Sequence, residues 1–204
     1  MGLDIWWRHR AAYLSLPPEG GKVLDVATGT GDLAVAIMAA SLRHGRRVSV
    51  EGMDMNRSML SIARNKVRRL GMEGITFSRG DALALDYPAN TFDSLSTGFS
   101  LRNFDDIPLF MSEARRVLKK NGRLVALDMA LPKSGPFRPL LNAYLSAVGA
   151  AGGVVDREAY GWLVKSVRGF DSRSAAKKAV SSGFRRVKVE TLFPGIAFII
   201  TAVK

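Results

Sequence analysis

With 204 residues and no cysteine, the chain is long enough for one substantial core, and it can hold no disulfide, thiolate zinc site or cysteine nucleophile. Methylation of a pyrimidine ring by cysteine addition is excluded with them. Its 30 Lys and Arg against 18 acids leave a formal charge of +12, which favours an anionic partner such as nucleic acid, lipid headgroups or an acidic metabolite.

No aromatic residues alternate with these cations as stacking platforms would require, so nucleic acid is not expected and the cations read mainly as solvated helix faces. No apolar run approaches the roughly 18 residues of a membrane span, and Met1 to Arg10 lacks the apolar stretch of a signal peptide. A cytoplasmic protein is expected, touching a membrane only from outside.

In chain order, residues 1–21 are expected to hold an N-terminal helix. Residues 23–27 read as a buried strand, and 32–41 as a helix with Leu33, Ala34, Ile37 and Met38 inward. Val48 to Met53 is a second strand ending at Asp54. The helix after it turns Met59, Leu60, Ala63, Val67 and Leu70 inward and stops at Gly71. Ile75–Ser78 and Phe92–Thr97 are the next strands. Ile107–Lys119 follows as a helix, Asn121-Gly122 as a turn and Arg123–Met129 as the fifth strand. Helices near 138–148, 156–168 and 173–182 lead to strands Arg185–Leu192 and Ile196–Val203, joined at Phe193-Pro194-Gly195 as a hairpin. The alternation predicts one α/β domain over 1–204, a Rossmann-like doubly wound sheet of seven strands. It is mostly parallel with a C-terminal antiparallel hairpin strand, and ligands bind at the strands' C-terminal ends.

The segment Val23-Leu-Asp-Val-Ala-Thr-Gly29-Thr-Gly-Asp-Leu-Ala34 carries the chemistry. Gly29, Gly31 and Ala34 fit G-x-G-x-x-A, a spacing shared with dinucleotide sites, where a pyrophosphate rests on a helix N-terminus. Asp25 and Asp32 flank the turn and would repel a pyrophosphate, which favours S-adenosylmethionine (SAM), a ligand with a sulfonium, an ammonium and no phosphate, over NAD(P). Asp32 also reads as a helix cap. Asp54 can accept both ribose hydroxyls, and Asp81-Ala82 lies where an adenine amino group would be met. Thr30, Ala27, Met55 and Gly98 complete the candidate cofactor set. After the fourth strand, Gly98-Phe99-Ser-Leu-Arg102-Asn103 lacks the Pro-Pro-aromatic segment of methylases that act on amino nitrogens. It puts a cation and an amide near the transferable methyl instead. The alternative is that Arg102 only pairs with Asp105 or Asp106 to close the loop.

These residues resemble the class I SAM-dependent methyltransferases, specifically the ubiquinone/menaquinone-biosynthesis C-methyltransferases. The likeness runs through Val23-Leu-Asp-Val-Ala, Gly29-Thr-Gly-Asp32, Asp54-x-Asn56-x-Ser58-Met-Leu60, Gly80-Asp-Ala82, Phe92-Asp93, Phe99-x-Leu-Arg-Asn103, Arg116-Val-Leu-Lys119 and Gly122-Arg-Leu124. Phe-x-Leu-Arg-Asn is the most specific of these. The resemblance implies SAM contacts at Gly29, Thr30, Gly31, Asp54, Asp81 and Ala82, and methyl transfer to a ring carbon of a demethylated quinol. Ser100 stands where the family has glycine, and Asp128 where Glu is expected. The family's Tyr-Asp pair ahead of the Trp-Arg stretch has no counterpart before Trp6-Trp7-Arg8, so a shortened substrate lid is expected.

Phenolate formation at the acceptor assigns electrostatic activation to Arg102 and orientation of the hydroxyl to Asn103. Asp128 is either the carboxylate base or a structural cap. His9 and His44 are off the site, and no metal is expected. The uncharged stretch Leu140–Val155, before Asp156, Tyr160 and Trp162, reads either as core or as an apolar wall for an isoprenoid tail, within a helical substrate cover over 130–170. A lipophilic quinol and the anionic face of a membrane are the expected partners, with a homodimer left open. Two other functions stay open: methylation of another small molecule, and a non-catalytic SAM-fold subunit that binds RNA or protein.

Overall fold

The computed structural model describes residues 2–18, 21–132, 138–152 and 157–204. The chain runs through α1 (Leu3–Ser15), β1 (Gly21–Val26), α2 (Asp32–Arg43), β2 (Val48–Asp54), α3 (Arg57–Arg69), β3 (Ile75–Arg79) and β4 (Phe92–Gly98). A 3₁₀ turn at Leu101–Asn103 leads to α4 (Ile107–Val117), β5 (Leu118–Met129), α5 (Arg138–Gly152), α6 (Arg157–Gly169), α7 (Ser172–Ser181), β6 (Arg185–Leu192) and β7 (Ala197–Val203).

The seven strands lie in the order β3-β2-β1-β4-β5-β7-β6. Strands β1 to β5 are parallel, and β7 runs against both its neighbours, with Leu192 facing Ala197 across the hairpin. This is the expected doubly wound sheet. Val23, Leu24 and Val26 are fully buried because helices cover both faces of β1, which is why that strand reads as a continuous apolar run. One apolar cluster lies under α4 and α7, and the other joins α1, α2 and α5 to the opposite face. Strand order reverses between β1 and β4, so their C-terminal ends open a crevice for a ligand.

Three boundaries differ from expectation. Helix α1 ends at Ser15, not near 21, because Leu16 precedes Pro17 and takes an extended conformation (φ −69°, ψ 120°). Helix α4 stops at Val117, and β5 starts at Leu118, ahead of the turn at Asn121-Gly122. The uncharged stretch divides by face: Leu141 and Leu145 are buried core, while Leu140 and Tyr144 are 68% and 51% exposed. The core reading holds for the buried side of the helix. Residues 153–156, which include Val155 and Asp156, lie outside the described residues.

Candidate active site

The crevice is built around the turn that follows β1. Ala27, Gly29 and Gly31 all have positive φ (53°, 55° and 78°), and a Cβ on Gly31 would lie 3.1 Å from Ala63 and Phe77. Glycine at 31 is thus required twice, by backbone conformation and by space. The turn is tied to the sheet by the Thr28 amide on the Met53 carbonyl (3.0 Å) and by the Gly29 amide on Asp54 Oδ2 (2.8 Å).

The carboxylates sort themselves differently from the sequence reading. Asp25 is fully buried and does not face the crevice. Its oxygens accept from the Thr28 hydroxyl (2.6 Å) and the Ser96 hydroxyl (2.7 Å), and the Ala34 amide at the start of α2 supports it too. It braces the turn from behind. Desolvation pushes its pKa up to about 6 from 3.8, against those hydrogen bonds. Because the folded value lies above the unfolded one, Asp25 contributes most stability in acid and costs stability as pH rises through about 6. The full cost, on the order of 3 kcal/mol, is present above that pH. Asp25→Asn is therefore expected to raise Tm at pH 8 and to flatten the pH dependence between 4 and 6; a lower Tm at pH 8 would refute it.

Asp32 is the first residue of α2 and not its cap, which is Gly31 without a side-chain bond. Its carboxylate meets Lys66 Nζ (2.5 Å) and the Thr30 hydroxyl (2.9 Å). Burial works against its charge, but these partners hold its pKa below the ordinary value. Asp32 is thus neutralised outward by α3. The acidity left at the crevice belongs to Asp54 and Asp81. Asp54 accepts from Gly29 and Asn56 (2.8 Å each), and Asn56, not Asp54, caps α3. Each carboxylate oxygen keeps a second lone pair for a ligand hydroxyl.

Asp81 and Met55 line an open cleft of about 250 Å³ with Arg79 and Gly80. The segment beyond it is clamped at several points. Asp81 Oδ1 accepts from the Leu83 amide, and Glu113 from the Leu85 amide. Arg116 donates to the Leu85 carbonyl (2.6 Å) and the Tyr87 carbonyl (2.7 Å), and the Tyr87 hydroxyl donates to Glu51 (2.5 Å). Arg116, noted in the sequence only as part of a motif, thereby holds Ala82, which is buried, and its neighbours in place.

The other wall follows β4. A Cβ on Gly98 would come within 3.1 Å of Leu33, and Phe99 adopts φ 61° with its amide on the Leu127 carbonyl (2.7 Å). The Phe99 ring lies 6.4 Å from the Trp7 ring and 4.9 Å from the Arg8 guanidinium, which α1 steadies through Asp4 (2.6 Å). Arg8 also acts electrostatically on Asp32, so α1 brings a cation beside the glycine turn. Arg8 did not stand out in the sequence because its neighbours lie in other elements. Ser100, in place of the family's glycine, is tolerated: its backbone is ordinary (φ −124°) and its hydroxyl bonds Thr97 Oγ1 (2.6 Å).

Arg102 does not pair with Asp105 or Asp106; Asp106 caps α4 through the Leu109 amide (2.9 Å). Its Nη1 donates to Asp128 Oδ1 and to the Phe99 carbonyl (2.9 Å), its Nε to Ser166 Oγ (3.2 Å), and its amide to Asp128 Oδ2 (2.8 Å). The Arg102 and Asp128 side chains are 6% and 0% exposed. Burial pushes the Asp128 pKa up, against the pull of Arg102. A carboxylate sealed from the crevice and engaged by Arg102 and by the Met129 amide (2.7 Å) holds the guanidinium in place; it is not placed to take a proton from a ligand. Arg102 Nη2 has no partner among the described residues, and Arg102 lines a groove of about 390 Å³ with Trp162, Lys165, Ser166, Gly169 and Phe170. Asn103 is exposed beside it.

A doubly wound sheet with a glycine turn, a carboxylate ending β2 and an acid after β3 defines a SAM-dependent methyltransferase. Solved structures that share the fold include a SAM-dependent methyltransferase from Aquifex aeolicus (TM-score 0.71, 20% identity, 99% of this chain and 92% of that one). A Haemonchus contortus phosphoethanolamine N-methyltransferase 2 solved with SAM is another (TM-score 0.70, 16% identity, 98% and 52%). The profile of the ubiE/COQ5 methyltransferase family matches residues 1–204, and the chain belongs to that family. It is similar to the demethylmenaquinone methyltransferases of Bacteroides fragilis (32% identity, 100% of this chain, 84% of the relative) and Thermus thermophilus (36%, 97% and 89%).

The cofactor is SAM, and the residues present suit it. Asp54 has lone pairs for two ribose hydroxyls while its carboxylate fixes the Gly29 amide of the turn. No helix among the described residues is long and apolar enough to cross a membrane.

Proposed function

We propose that this enzyme methylates a ring carbon of a demethylated isoprenoid quinol. The observation that carries the reading is the buried Arg102–Asp128 pair beside Phe99, which presents one guanidinium edge to the groove under α6. The names of the similar proteins, demethylmenaquinone methyltransferases, favour the same acceptor.

Bound SAM supplies an electrophilic methyl on sulfur. Asp54, Asp81, Ala82 and the turn Gly29-Thr30-Gly31 would hold it, with Ala27, Met55 and Gly98 lining its surroundings. Reaction needs the ring carbon in line with that methyl at roughly 3–3.5 Å, with water kept out. That carbon becomes nucleophilic when its neighbouring hydroxyl ionises, and a phenol's reference pKa is about 10. Arg102 stabilises the phenolate, and Asn103 orients the oxygen through its amide. Asp128 fixes the direction of Arg102. The hydroxyl proton, and the ring hydrogen lost as a proton when aromaticity is restored after methylation, pass to solvent at the groove mouth, and the product phenolate takes one proton back. Helices α5 and α6 serve as the substrate cover.

Incubating the chain with SAM and a reduced demethylated naphthoquinol is expected to add one methyl to the ring, seen by mass spectrometry. Binding of SAM with no transfer to either a naphthoquinol or a benzoquinol would rule the proposal out.

A further inference from the structure

We infer that the Arg8 guanidinium binds the α-carboxylate of SAM, which makes the cleft selective for a cofactor whose amino-acid end is intact. The inference rests on the cofactor orientation proposed above, with the ribose at Asp54. It does not depend on the identity of the acceptor.

SAM carries a sulfonium, an α-ammonium and an α-carboxylate. The acids left at the crevice, Asp54 and Asp81, suit the first two and repel the third, so the carboxylate needs a cation of its own. The direction of the ligand says where. With adenine near Asp81 after β3 and ribose at the end of β2, the methionyl end points the other way along the order β3-β2-β1-β4. It crosses the glycine turn after β1 and reaches Phe99 after β4.

The chain delivers Arg8 to that place. Helix α1 runs against the direction of the strands. Near its end the Leu14 carbonyl accepts from Arg123 (2.9 Å), which opens the part of β5 paired with the middle of β4. Near its start the Trp7 ring stands 6.4 Å from Phe99, just past the end of β4. The first turns of α1 therefore stand at the ligand edge of the sheet. There the Arg8 guanidinium lies 4.9 Å from the centre of the Phe99 ring, and it lines a cleft of about 320 Å³ together with Asp4, Ile5 and Asp32. Its charge helps to lower the pKa of Asp32, the residue after Gly31. One cation thus stands between the glycine turn and the segment after β4.

The neighbouring cations are committed elsewhere. Lys66 meets Asp32 (2.5 Å). Arg79 stands beside Asp81 at the adenine end and donates its Nε to the Met55 carbonyl (3.2 Å). Arg102 is fixed on Asp128 and lines the groove under α6. Arg8 uses only one nitrogen: Nη1 donates to Asp4 Oδ2 (2.6 Å), and Nε and Nη2 have no partner among the described residues. Asp32, already met by Lys66 and the Thr30 hydroxyl, forms no bond to Arg8 among the described residues. A guanidinium offers paired donors that match the two oxygens of a carboxylate. Asp4 holds one end of this fork and the Phe99 ring supports its face, so little freedom is lost when the ligand arrives. The Arg8 side chain is 24% exposed, and partial shielding from water strengthens the bond it can make.

A helix-surface pair of Arg8 with Asp4 and nothing more would leave cofactor affinity untouched, and titration calorimetry on the full chain separates the two roles. The probes are S-adenosylhomocysteine, its decarboxylated form and methylthioadenosine, which lacks the whole amino-acid end. The parent should bind decarboxylated S-adenosylhomocysteine at least about tenfold more weakly than the intact molecule. Arg8→Met should weaken S-adenosylhomocysteine by about 10- to 100-fold and leave methylthioadenosine unchanged, and Arg8→Lys should regain part of the loss. Unchanged methylthioadenosine binding also shows that the variant is folded. Arg43→Met, the same change of charge at the exposed far end of α2, should match the parent. Equal affinity of the parent for the intact and decarboxylated ligands would overturn the inference. So would Arg8→Met that weakens S-adenosylhomocysteine and methylthioadenosine alike, because Arg8 would then only hold α1 against the turn, or that weakens neither. Selective loss in Arg8→Met beside undiminished methylthioadenosine binding in Asp54→Ala would defeat the orientation proposed above and leave Arg8 at the carboxylate.

Discussion

Arg102→Ala is expected to lower kcat by about 10²- to 10³-fold while the dissociation constant for SAM stays nearly unchanged, because the guanidinium lines the groove under α6 proposed for the acceptor and not the glycine turn. The same substitution should also destabilise the fold. It would strand Asp128, which is fully buried, at a cost on the order of 3–5 kcal/mol. Protonation relieves such a stranded carboxylate, so the loss should shrink as pH falls. Asp128→Asn added to Arg102→Ala should restore most of the stability and none of the activity. Calorimetric Tm and single-turnover rates on the two variants separate the effects. A double variant that regains turnover together with Tm would show that Arg102 serves only the fold.

Asp54→Ala is expected to weaken SAM binding by about 10²-fold or more, as charge-assisted bonds of ~1.5–3 kcal/mol each are lost. Two losses combine there. The Gly29 and Asn56 amides lose their acceptor, which loosens the turn, and the ribose loses its partner. Asp54→Asn keeps one acceptor for the turn and should fall between the two. Titration calorimetry with SAM and with methylthioadenosine checks the assignment: both ligands carry the ribose, so both should weaken alike. An unchanged affinity for either in Asp54→Ala would remove the carboxylate from the cofactor site.

Most of the fold was legible in the order of residues because its causes are local. The apolar run Val23–Val26 needs both faces covered, and that requirement names a central parallel strand. Glycines at 29 and 31 announce a turn because their positive φ values cost other residues strain. The Phe193-Pro194-Gly195 turn marks a hairpin for the same kind of reason, and the periodic faces of α2 and α3 follow from helical spacing. The boundary of β5 was harder to read. Leu118–Lys119–Lys120 continues a helical pattern of side chains, and only pairing of Leu118 with Phe92 in β4 makes it strand.

Side-chain charge was the least legible property. Asp25 and Asp32 looked like two acids facing a cofactor, but Asp25 turns inward to hydroxyls on Thr28 and Ser96, and Asp32 is met by Lys66 from α3. Which way a carboxylate faces, and which cation reaches it, depends on elements that pack together from distant parts of the chain.

By itself the sequence determined the strand–helix alternation, the glycine turn, the acids at the ends of β2 and β3, and the Phe99-x-Leu-Arg-Asn103 segment. These follow from backbone conformation and from hydrophobic period, which are read over a few residues. Only the tertiary structure decided that Arg102 is anchored by Asp128 and that Arg8 and Trp7 close over Phe99. Each of these joins residues far apart in the chain, and burial sets their energies, so no local pattern encodes them.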